Sequence, residues 1–241
     1  MKTWLNPDAA RRALKEGRGE GINIAILDSG VEGFTLKDDL ALTEQGGKIS
    51  ISPGLGIDTF GHGTAIAGII HTLAPAAQLG SFRVLGERLR SRTALIAEAA
   101  CQAIRRGYHI LNCSFGCARE DQVFQYKDWI DDAYLQGRHV VAACNNCESS
   151  RREWPGHFPT VITVNFAAID DPETILYRPG TLVEFAARGQ DVEVPWLGGG
   201  KKRVTGSSFA APHAAGMLAR LLSHFPDAPP LQAKAMLQYL G

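Results

Sequence analysis

The sequence feature that most constrains the fold is an apolar run at residues 22–27, which reads I-N-I-A-I-L. A nearly continuous apolar run of strand length is typical of parallel strands that are buried on both faces. The run ends in Asp28-Ser29-Gly30, which places a carboxylate at the carboxyl end of a buried strand. Open parallel sheets bind their ligands at that edge, so Asp28 is a candidate functional residue.

Further apolar runs alternate with helical segments along the chain. Strands are predicted at Leu79–Leu85, Tyr108–Ser114, His139–Cys144 and Thr160–Phe166. Helices are predicted from Asn6-Pro7 to Gly17, from a Thr93 cap to Arg106, from Glu120 to Gln136, and from Pro229 or Pro230 onward. This alternation predicts an α/β fold of three layers, with a parallel central sheet and helices on both faces. Surface loops are expected over 30–57, with a short strand at Lys48–Ile51, and Val183–Ala187 and Val192–Trp196 are expected to be antiparallel additions.

Composition excludes several function classes. Lys+Arg and Asp+Glu both number 25, so no net charge favours nucleic acid or a membrane surface.

No linker or internal repeat divides the sequence, which predicts one domain over 1–241 with an N-terminal helical extension at 1–20. The N-terminus lacks the apolar core of a signal peptide, and the five cysteines are an odd number, so a cytoplasmic protein with reduced thiols is expected.

Residues 204–216 read V-T-G-S-S-F-A-A-P-H-A-A-G, two hydroxyls between a glycine and a small apolar helix. Ser207 is predicted to cap this helix, and Ser208 then lies at its positive end, where a nucleophile is favoured. A plain cap on a core helix is the alternative at this point. His213 lies inside the apolar helix and is expected to be structural.

His62 lies between two glycines at the start of another apolar helix, in F-G-H-G-T-A-I-A-G. Asp28, His62 and Ser208 therefore follow one of the known chain orders of a catalytic triad. In that arrangement Ser208 attacks a carbonyl carbon, His62 takes the serine proton and Asp28 holds the imidazole tautomer.

On these motifs, I-L-D-S-G, G-H-G-T-A-I-A-G and G-S-S-F-A-A-P, the sequence resembles the subtilisin-like serine proteases over residues 20 to 240. The resemblance implies the three-layer subtilisin-like fold. It also implies that Asn146 donates to the oxyanion, that Ser114, Phe115 and Gly116 pair with the substrate backbone as an added β-strand, and that Pro155 is cis beside the specificity pocket.

The same alignment places Glu153 at the floor of the pocket for the residue before the scissile bond (P1). A carboxylate there favours Lys or Arg at P1. The alternative is that Glu153 points to solvent and pairs with Arg151 or Arg152.

Departures from the family pattern also carry expectations. The calcium-binding loop of many relatives appears deleted where H-T-L runs directly into A-P, so no metal and no cofactor are expected. Cys113, Cys117, Cys144 and Cys147 bracket the specificity pocket; free thiols are expected, with a Cys117–Cys147 disulfide or a zinc site as alternatives.

These features predict an intracellular serine endopeptidase that acts on a peptide or protein substrate, with a resemblance to proteases that trim leader peptides. An inactive subtilase that serves as a peptide-binding scaffold and a broad degradative protease are the alternatives. The physiological substrate and the oligomeric state stay open at the level of sequence.

Overall fold

The computed structural model of the protein describes residues 6–241, which form six α-helices and eleven β-strands. The helices are α1 (Pro7–Glu16), α2 (His62–Leu73), α3 (Thr93–Arg105), α4 (Val123–Leu135), α5 (Ser207–His224) and α6 (Pro230–Gln238). The strands are β1 (Asn23–Asp28), β2 (Leu36–Gln45), β3 (Lys48–Pro53), β4 (Gln78–Arg83), β5 (Ile110–Cys113), β6 (His139–Ala143), β7 (Ile162–Ala167), β8 (Ile175–Tyr177), β9 (Phe185–Arg188), β10 (Val192–Pro195) and β11 (Lys201–Val204).

Nine of these strands form one sheet in the order β3-β2-β4-β1-β5-β6-β7-β9-β8. All neighbours pair in parallel except at the two edges, where β3 and β8 are antiparallel to β2 and β9. The strands β10 and β11 form a separate antiparallel hairpin. The predicted α/β fold with a mostly parallel central sheet is therefore confirmed.

Two apolar cores cover the two faces of the sheet, and β1 contributes to both. Ile24 and Ile26 pack in the core beneath α2 and α5, whereas Ala25 and Leu27 pack in the core beneath α3 and α4. This alternation explains why the chain is apolar from Ile24 to Leu27: each face of the strand meets a helix layer.

Several predicted elements differ from the structure. Residues 36–45 form β2 and not a loop. The sequence L-K-D-D-L-A-L-T-E-Q did not indicate a strand because it lacks a continuous apolar run, and only Ala41 and Leu42 of this strand are buried. The strand Phe185–Arg188 pairs in parallel with β7, so the prediction of a purely antiparallel addition was wrong. The helix predicted from Glu120 begins at Val123 after a short 3-10 turn, and the cap of α3 is Arg92 instead of Thr93.

The N-terminal helix is joined to the rest of the molecule by a buried arginine. Asn6 caps α1 as predicted, its side chain accepting from the N–H of Ala9 at 2.8 Å. Arg220 of α5 donates to the carbonyl oxygen of Gly17 at 2.8 Å and pairs with Glu173. Residues 1–5 of the predicted extension lie outside the described residues, and between 6 and 241 no helix is both long and apolar enough to cross a membrane.

Candidate active site

The candidate site lies at the carboxyl edge of the central strands, and its best defined contact joins Asp28 and His62. Asp28 ends β1 and is fully buried, and His62 is the first residue of α2. Their side chains are 2.8 Å apart, between Asp28 Oδ1 and His62 Nδ1. A carboxylate oxygen only accepts, so Nδ1 donates and Nε2 is the basic nitrogen.

The pKa of His62 reflects opposing effects. Burial lowers it, but the negative charge of Asp28, its hydrogen bond and the charge of Asp58 together raise the pKa above its usual value. The imidazolium is therefore favoured in this environment, which is the electrostatic requirement for a histidine that accepts a proton during a reaction.

A second buried carboxylate, Asp58, supports the start of α2. Its two oxygens accept from five donors: the hydroxyl of Ser29 (2.7 Å), the N–H groups of Phe60 (3.0 Å), Gly61 (2.8 Å) and Thr64 (2.8 Å), and the hydroxyl of Thr64 (2.7 Å). Burial alone would raise the pKa of Asp58, but these hydrogen bonds together lower it. Asp58 is thus ionised and holds the backbone that carries His62.

Ser207, the first of the two serines at the start of α5, does not have the capping role that was predicted for it. Gly206, at φ 154°, is the capping residue of α5, and Ser207 is the first residue of the helix. No side chain forms a capping hydrogen bond at this helix start. The Ser207 hydroxyl donates to the carbonyl oxygen of Cys144 at 2.6 Å and lies 2.8 Å from Asn146 Oδ1. The prediction that Ser207 caps the helix was wrong, because glycine alone suits the backbone that turns from β11 into α5.

Ser208 is half-buried and its Oγ donates to the carbonyl oxygen of Ser114 at 3.0 Å. The next residue, Phe209, packs its ring against the His62 ring with a centroid distance of 5.3 Å. The ring contact brings the starts of α2 and α5 together, while the hydrogen bond of Ser208 Oγ goes to Ser114 and not to His62.

Asn146 follows β6 and reaches the same helix end. Its Oδ1 accepts from the Ser207 N–H at 2.7 Å as well as contacting the Ser207 hydroxyl. With the oxygen held in this way, the NH₂ group of the side chain forms no hydrogen bond within residues 6–241 and is left to donate elsewhere.

The segment Ser114–Gly116 is one wall of the predicted specificity pocket, and residues 153–155 lie beside it at the predicted floor. An isolated antiparallel bridge between Cys117 and Trp154 joins them. The Trp154–Pro155 peptide bond is cis, as the resemblance implies. Ser114 also donates its hydroxyl to the carbonyl oxygen of Ser208 at 2.9 Å, which ties this wall to the helix start.

The Glu153 carboxylate lies between Gly116 and Asn145. Its Oε1 accepts from Asn145 Nδ2 at 2.8 Å. Its Oε2 lies against Gly116, where an added Cβ would be 2.5 Å from that oxygen. Among the described residues, Arg151 and Arg152 form no salt bridge with Glu153, so the partner of this carboxylate is Asn145.

The cysteines around the pocket are all free, and all five lie in the described part of the chain. Burial raises the pKa of the Cys113 thiol far above its usual value and that of Cys144 to about 11. These thiols are therefore protonated at neutral pH. No group of three or more His, Cys, Asp or Glu side chains suited to a metal ion occurs within residues 6–241.

His213 lies within α5, away from the reacting edge. Its Nδ1 donates to the carbonyl oxygen of Phe209 at 2.8 Å. Burial lowers the pKa of His213 to about 4, so this histidine is neutral and packs as a structural residue, as predicted.

Asp58 is the supporting residue that the motifs did not single out. The signal was present in the spacing D-T-F-G-H-G-T, in which a carboxylate precedes the glycine-flanked histidine by four residues. An acidic residue before a helix start favours hydrogen bonds to the free N–H groups of that helix.

Comparison with known proteins places this geometry in a family. The family model described as the subtilase family (Peptidase_S8) matches residues 19–239. Subtilisin BL from Lederbergia lenta is 29% identical over 224 residues, which cover 88% of this chain and 79% of that protein. The minor extracellular protease Epr of Bacillus subtilis (strain 168) is 28% identical over 94% of this chain, which spans 36% of the length of Epr.

Solved structures agree with the fold. The S41 psychrophilic protease superimposes with a TM-score of 0.76 at 25% identity, covering 95% of this chain and 88% of that one. A cold adapted subtilisin-like serine proteinase gives a TM-score of 0.73 at 20% identity over 92% and 83% of the two chains, which shows the shared fold alone. The chain belongs to the subtilase family, and by class it is a serine endopeptidase.

Proposed function

We propose that this chain hydrolyses peptide bonds with Ser208 as nucleophile, His62 as general base and Asp28 as the residue that holds the imidazole. The observation that carries the proposal is the 2.8 Å hydrogen bond between His62 Nδ1 and Asp28. It fixes the tautomer in which Nε2 is free to take the Ser208 proton. Ser208 lies at the start of α5, where the helix dipole favours negative charge.

The chemistry then follows in two halves. Ser208 Oγ exchanges its contact with the Ser114 carbonyl for His62 Nε2 by a rotation about its side chain, since such contacts often tighten only with substrate bound. The oxygen attacks the carbonyl carbon, His62 takes the proton and passes it to the departing amine, and an acyl-enzyme remains. Water, deprotonated by His62, attacks the acyl group and releases Ser208.

The oxyanion of each tetrahedral intermediate needs donors. The side-chain NH₂ of Asn146 is available because Ser207 holds the amide oxygen. The backbone N–H of Ser208 is the second donor, at the helix N-terminus. Fixed donors of this kind stabilise negative charge that develops only in the transition state.

Active-site labelling tests the assignment and separates it from the scaffold alternative. A fluorophosphonate probe is expected to label the protein, and the label is expected to disappear in Ser208→Ala. Ser223→Ala, near the other end of α5, serves as the matched control and retains the label. Folded protein that resists the probe would instead support a peptide-binding scaffold without activity.

We further propose that the enzyme prefers Lys or Arg at P1. The Glu153 carboxylate lies between Gly116 and Asn145 and has a single hydrogen-bond donor within residues 6–241. A guanidinium or ammonium that enters between the walls gains a charge-assisted hydrogen bond in a partly desolvated place. Asn145 orients the carboxylate in the absence of substrate.

Peptides that differ only at P1 test this preference. We expect the ratio of kcat/KM for Arg over Leu to fall by roughly 10- to 100-fold in Glu153→Gln, the size of a charge-assisted hydrogen bond. Glu148→Gln, a nearby exposed carboxylate, is the control and should leave the ratio unchanged. A wild-type preference for Phe or Leu at P1 would contradict the proposal.

The substrate is proposed to bind as an added β-strand along Ser114–Gly116. Within residues 6–241, the backbone N–H and C=O groups of Phe115 and Gly116 have no backbone hydrogen bond outside the regular elements. An added strand usually binds by hydrogen bonds to the unpaired backbone N–H and C=O groups of an extended segment.

We propose a cytoplasmic location, a dedicated maturation role such as leader-peptide removal, and independence of metal ions. Five unpaired cysteines support a reducing compartment, and only four residues separate α2 from β4, which leaves no room for the family's calcium loop there. Mass spectrometry of a digested peptide library tests the maturation role, and repeating the digest with a chelator tests metal independence. Many cleaved sequences would favour the degradative alternative, and inactivation by the chelator would contradict metal independence.

A further inference from the structure

The β10–β11 hairpin lies beside the start of α2, where Trp196 meets Phe60 and Gly61. Trp196 follows β10 and lies on Gly61, where an added Cβ would be 2.6 Å from Trp196 Cε2. Gly61 has φ 101° and immediately precedes His62, so the indole covers the backbone that starts α2. Phe60 meets the same indole edge-on, with ring centroids 5.9 Å apart.

The hairpin brings one cation to this indole. Lys202 Nζ lies 4.2 Å from the centroid of the Trp196 ring. Such a contact holds the ammonium in place through the negative face of the ring while it stays hydrated on its other side.

The three consecutive basic residues of β11 are not equivalent. Lys201 pairs with Glu193 at 2.8 Å and Arg203 pairs with Asp191, both across the hairpin. Lys202 alternates to the other face of the strand and forms no salt bridge within residues 6–241. The hairpin therefore pairs Lys201 and Arg203 with carboxylates, whereas Lys202, beside Trp196, has no carboxylate partner within residues 6–241.

We infer that Lys202 and Trp196 form a subsite for an acidic side chain within the first two residues after the scissile bond (P1′ and P2′). This inference rests on the proposed function, in which residues before the cut occupy the Ser114–Gly116 and Glu153 side. The residues after the cut then leave toward the hairpin. A carboxylate there meets the Lys202 ammonium, and its methylene groups lie on the indole.

The cleft is then charged oppositely at its two ends, with Glu153 before the cut and Lys202 after it. A substrate with a basic P1 residue followed by an acidic residue matches both ends in one direction of the chain only. Complementary charges of this kind set orientation and partner choice more than total affinity.

Peptides with Arg at P1 and Asp, Ala, Phe or Lys at P1′ or P2′ test the inference. At low salt, we expect Asp to exceed Ala by roughly two- to fivefold in kcat/KM at one of these positions, the range of a solvent-exposed ion pair. The advantage should shrink at about 1 M salt. In Lys202→Gln the Asp and Ala peptides should become equal, while Lys201→Gln, the paired neighbour, should keep the preference.

The outcomes separate this inference from the function on which it rests. Labelling by the fluorophosphonate probe and cleavage of the Ala peptide report the catalytic assignment alone. If both are present and Asp has no advantage at either position, or if Phe is preferred over Asp, the subsite is wrong and the protease assignment stands. An Asp preference that survives in Lys202→Gln also overturns it.

Discussion

Two buried carboxylates lie at the same edge of the sheet, at the end of β1 and in the loop before α2, and they are hydrogen-bonded in very different ways. Asp58 accepts from five donors, so both of its oxygens are fully used by the surrounding chain. Asp28 accepts on Oδ1 only, from the Ser29 N–H and from His62, and its Oδ2 has no partner within the described residues.

The two hydrogen-bonding patterns suit two different roles: one carboxylate maintains a backbone conformation, and the other stabilises a positive charge. A carboxylate surrounded by fixed donors is stabilised permanently, so it contributes to the folded state whether or not a reaction occurs. A buried carboxylate with an unpaired oxygen costs stability, but its negative charge interacts strongly with a cation that forms beside it. Asp28 is thus suited to an imidazolium on His62, and Asp58 to keeping His62 in place.

The largest expected effect is on the rate in Asp28→Asn. We expect kcat to fall by about 10⁴-fold, because a neutral amide neither holds the required tautomer nor stabilises the imidazolium. The thermal midpoint should not fall, since the substitution removes a buried charge with an unpaired oxygen. Steady-state kinetics and calorimetry measure the two, and a large loss of stability with little loss of kcat would reverse the roles assigned here.

In Asp58→Asn we expect a clear loss of stability and a smaller loss of rate, the reverse of Asp28→Asn. Its amide NH₂ would face donors, so the unfolding free energy should fall by on the order of 2–3 kcal/mol. The loss in kcat should be far smaller than in Asp28→Asn, because His62 is displaced without losing its direct partner. Asp128→Asn, an exposed carboxylate on α4, is the control for the change of side chain.

The pH dependence of kcat/KM tests whether Asp58 acts on His62 through its charge, because a purely structural role would not shift that dependence. The pKa of His62 is raised in part by the charge of Asp58, so the acid limb of kcat/KM should lie above the usual histidine value near 6.5. In Asp58→Asn that limb should move to lower pH. An unchanged limb would mean that Asp58 acts on His62 through geometry alone.

Much of the catalytic edge is predictable because its residues sit in short local motifs. Asp28, His62 and Ser208 each end a strand or begin a helix, and a parallel sheet gathers such positions at one edge. The local part of the role of Asp58 could be predicted from the spacing D-T-F-G-H-G-T, but its bond to Ser29 could not, because Ser29 lies 29 residues earlier in the chain.

Other features depend on backbone conformation or on which face a strand presents. The cap at α5 was assigned to Ser207, but the φ of Gly206 decides where the helix begins. The strand Leu36–Gln45 is not indicated by its sequence, because only two of its residues, Ala41 and Leu42, are buried and the sequence is correspondingly polar. Lys202 becomes distinct from Lys201 only once the register of the hairpin is known.

Histidines that are buried without a carboxylate complete the comparison. His139 and His213 each have a pKa lowered to about 4, chiefly by burial, whereas the pKa of His62 beside two carboxylates is raised. In the unfolded chain all three titrate near 6.5. The sign of each contribution to stability follows from which state binds the proton more tightly.

Below pH 6.5 the unfolded chain binds protons at positions 139 and 213 that the folded protein excludes until about pH 4. Above pH 6.5 these two residues therefore do not lower the unfolding free energy. As the pH falls below 6.5, that free energy decreases by up to roughly 1.4 kcal/mol per pH unit for each histidine. His62 acts in the opposite sense, because its raised pKa favours the folded state at low pH. Urea unfolding between pH 7 and 4.5 should show the loss, and His213→Gln should flatten it; an equally steep loss in that variant would show that His213 is not the group that titrates.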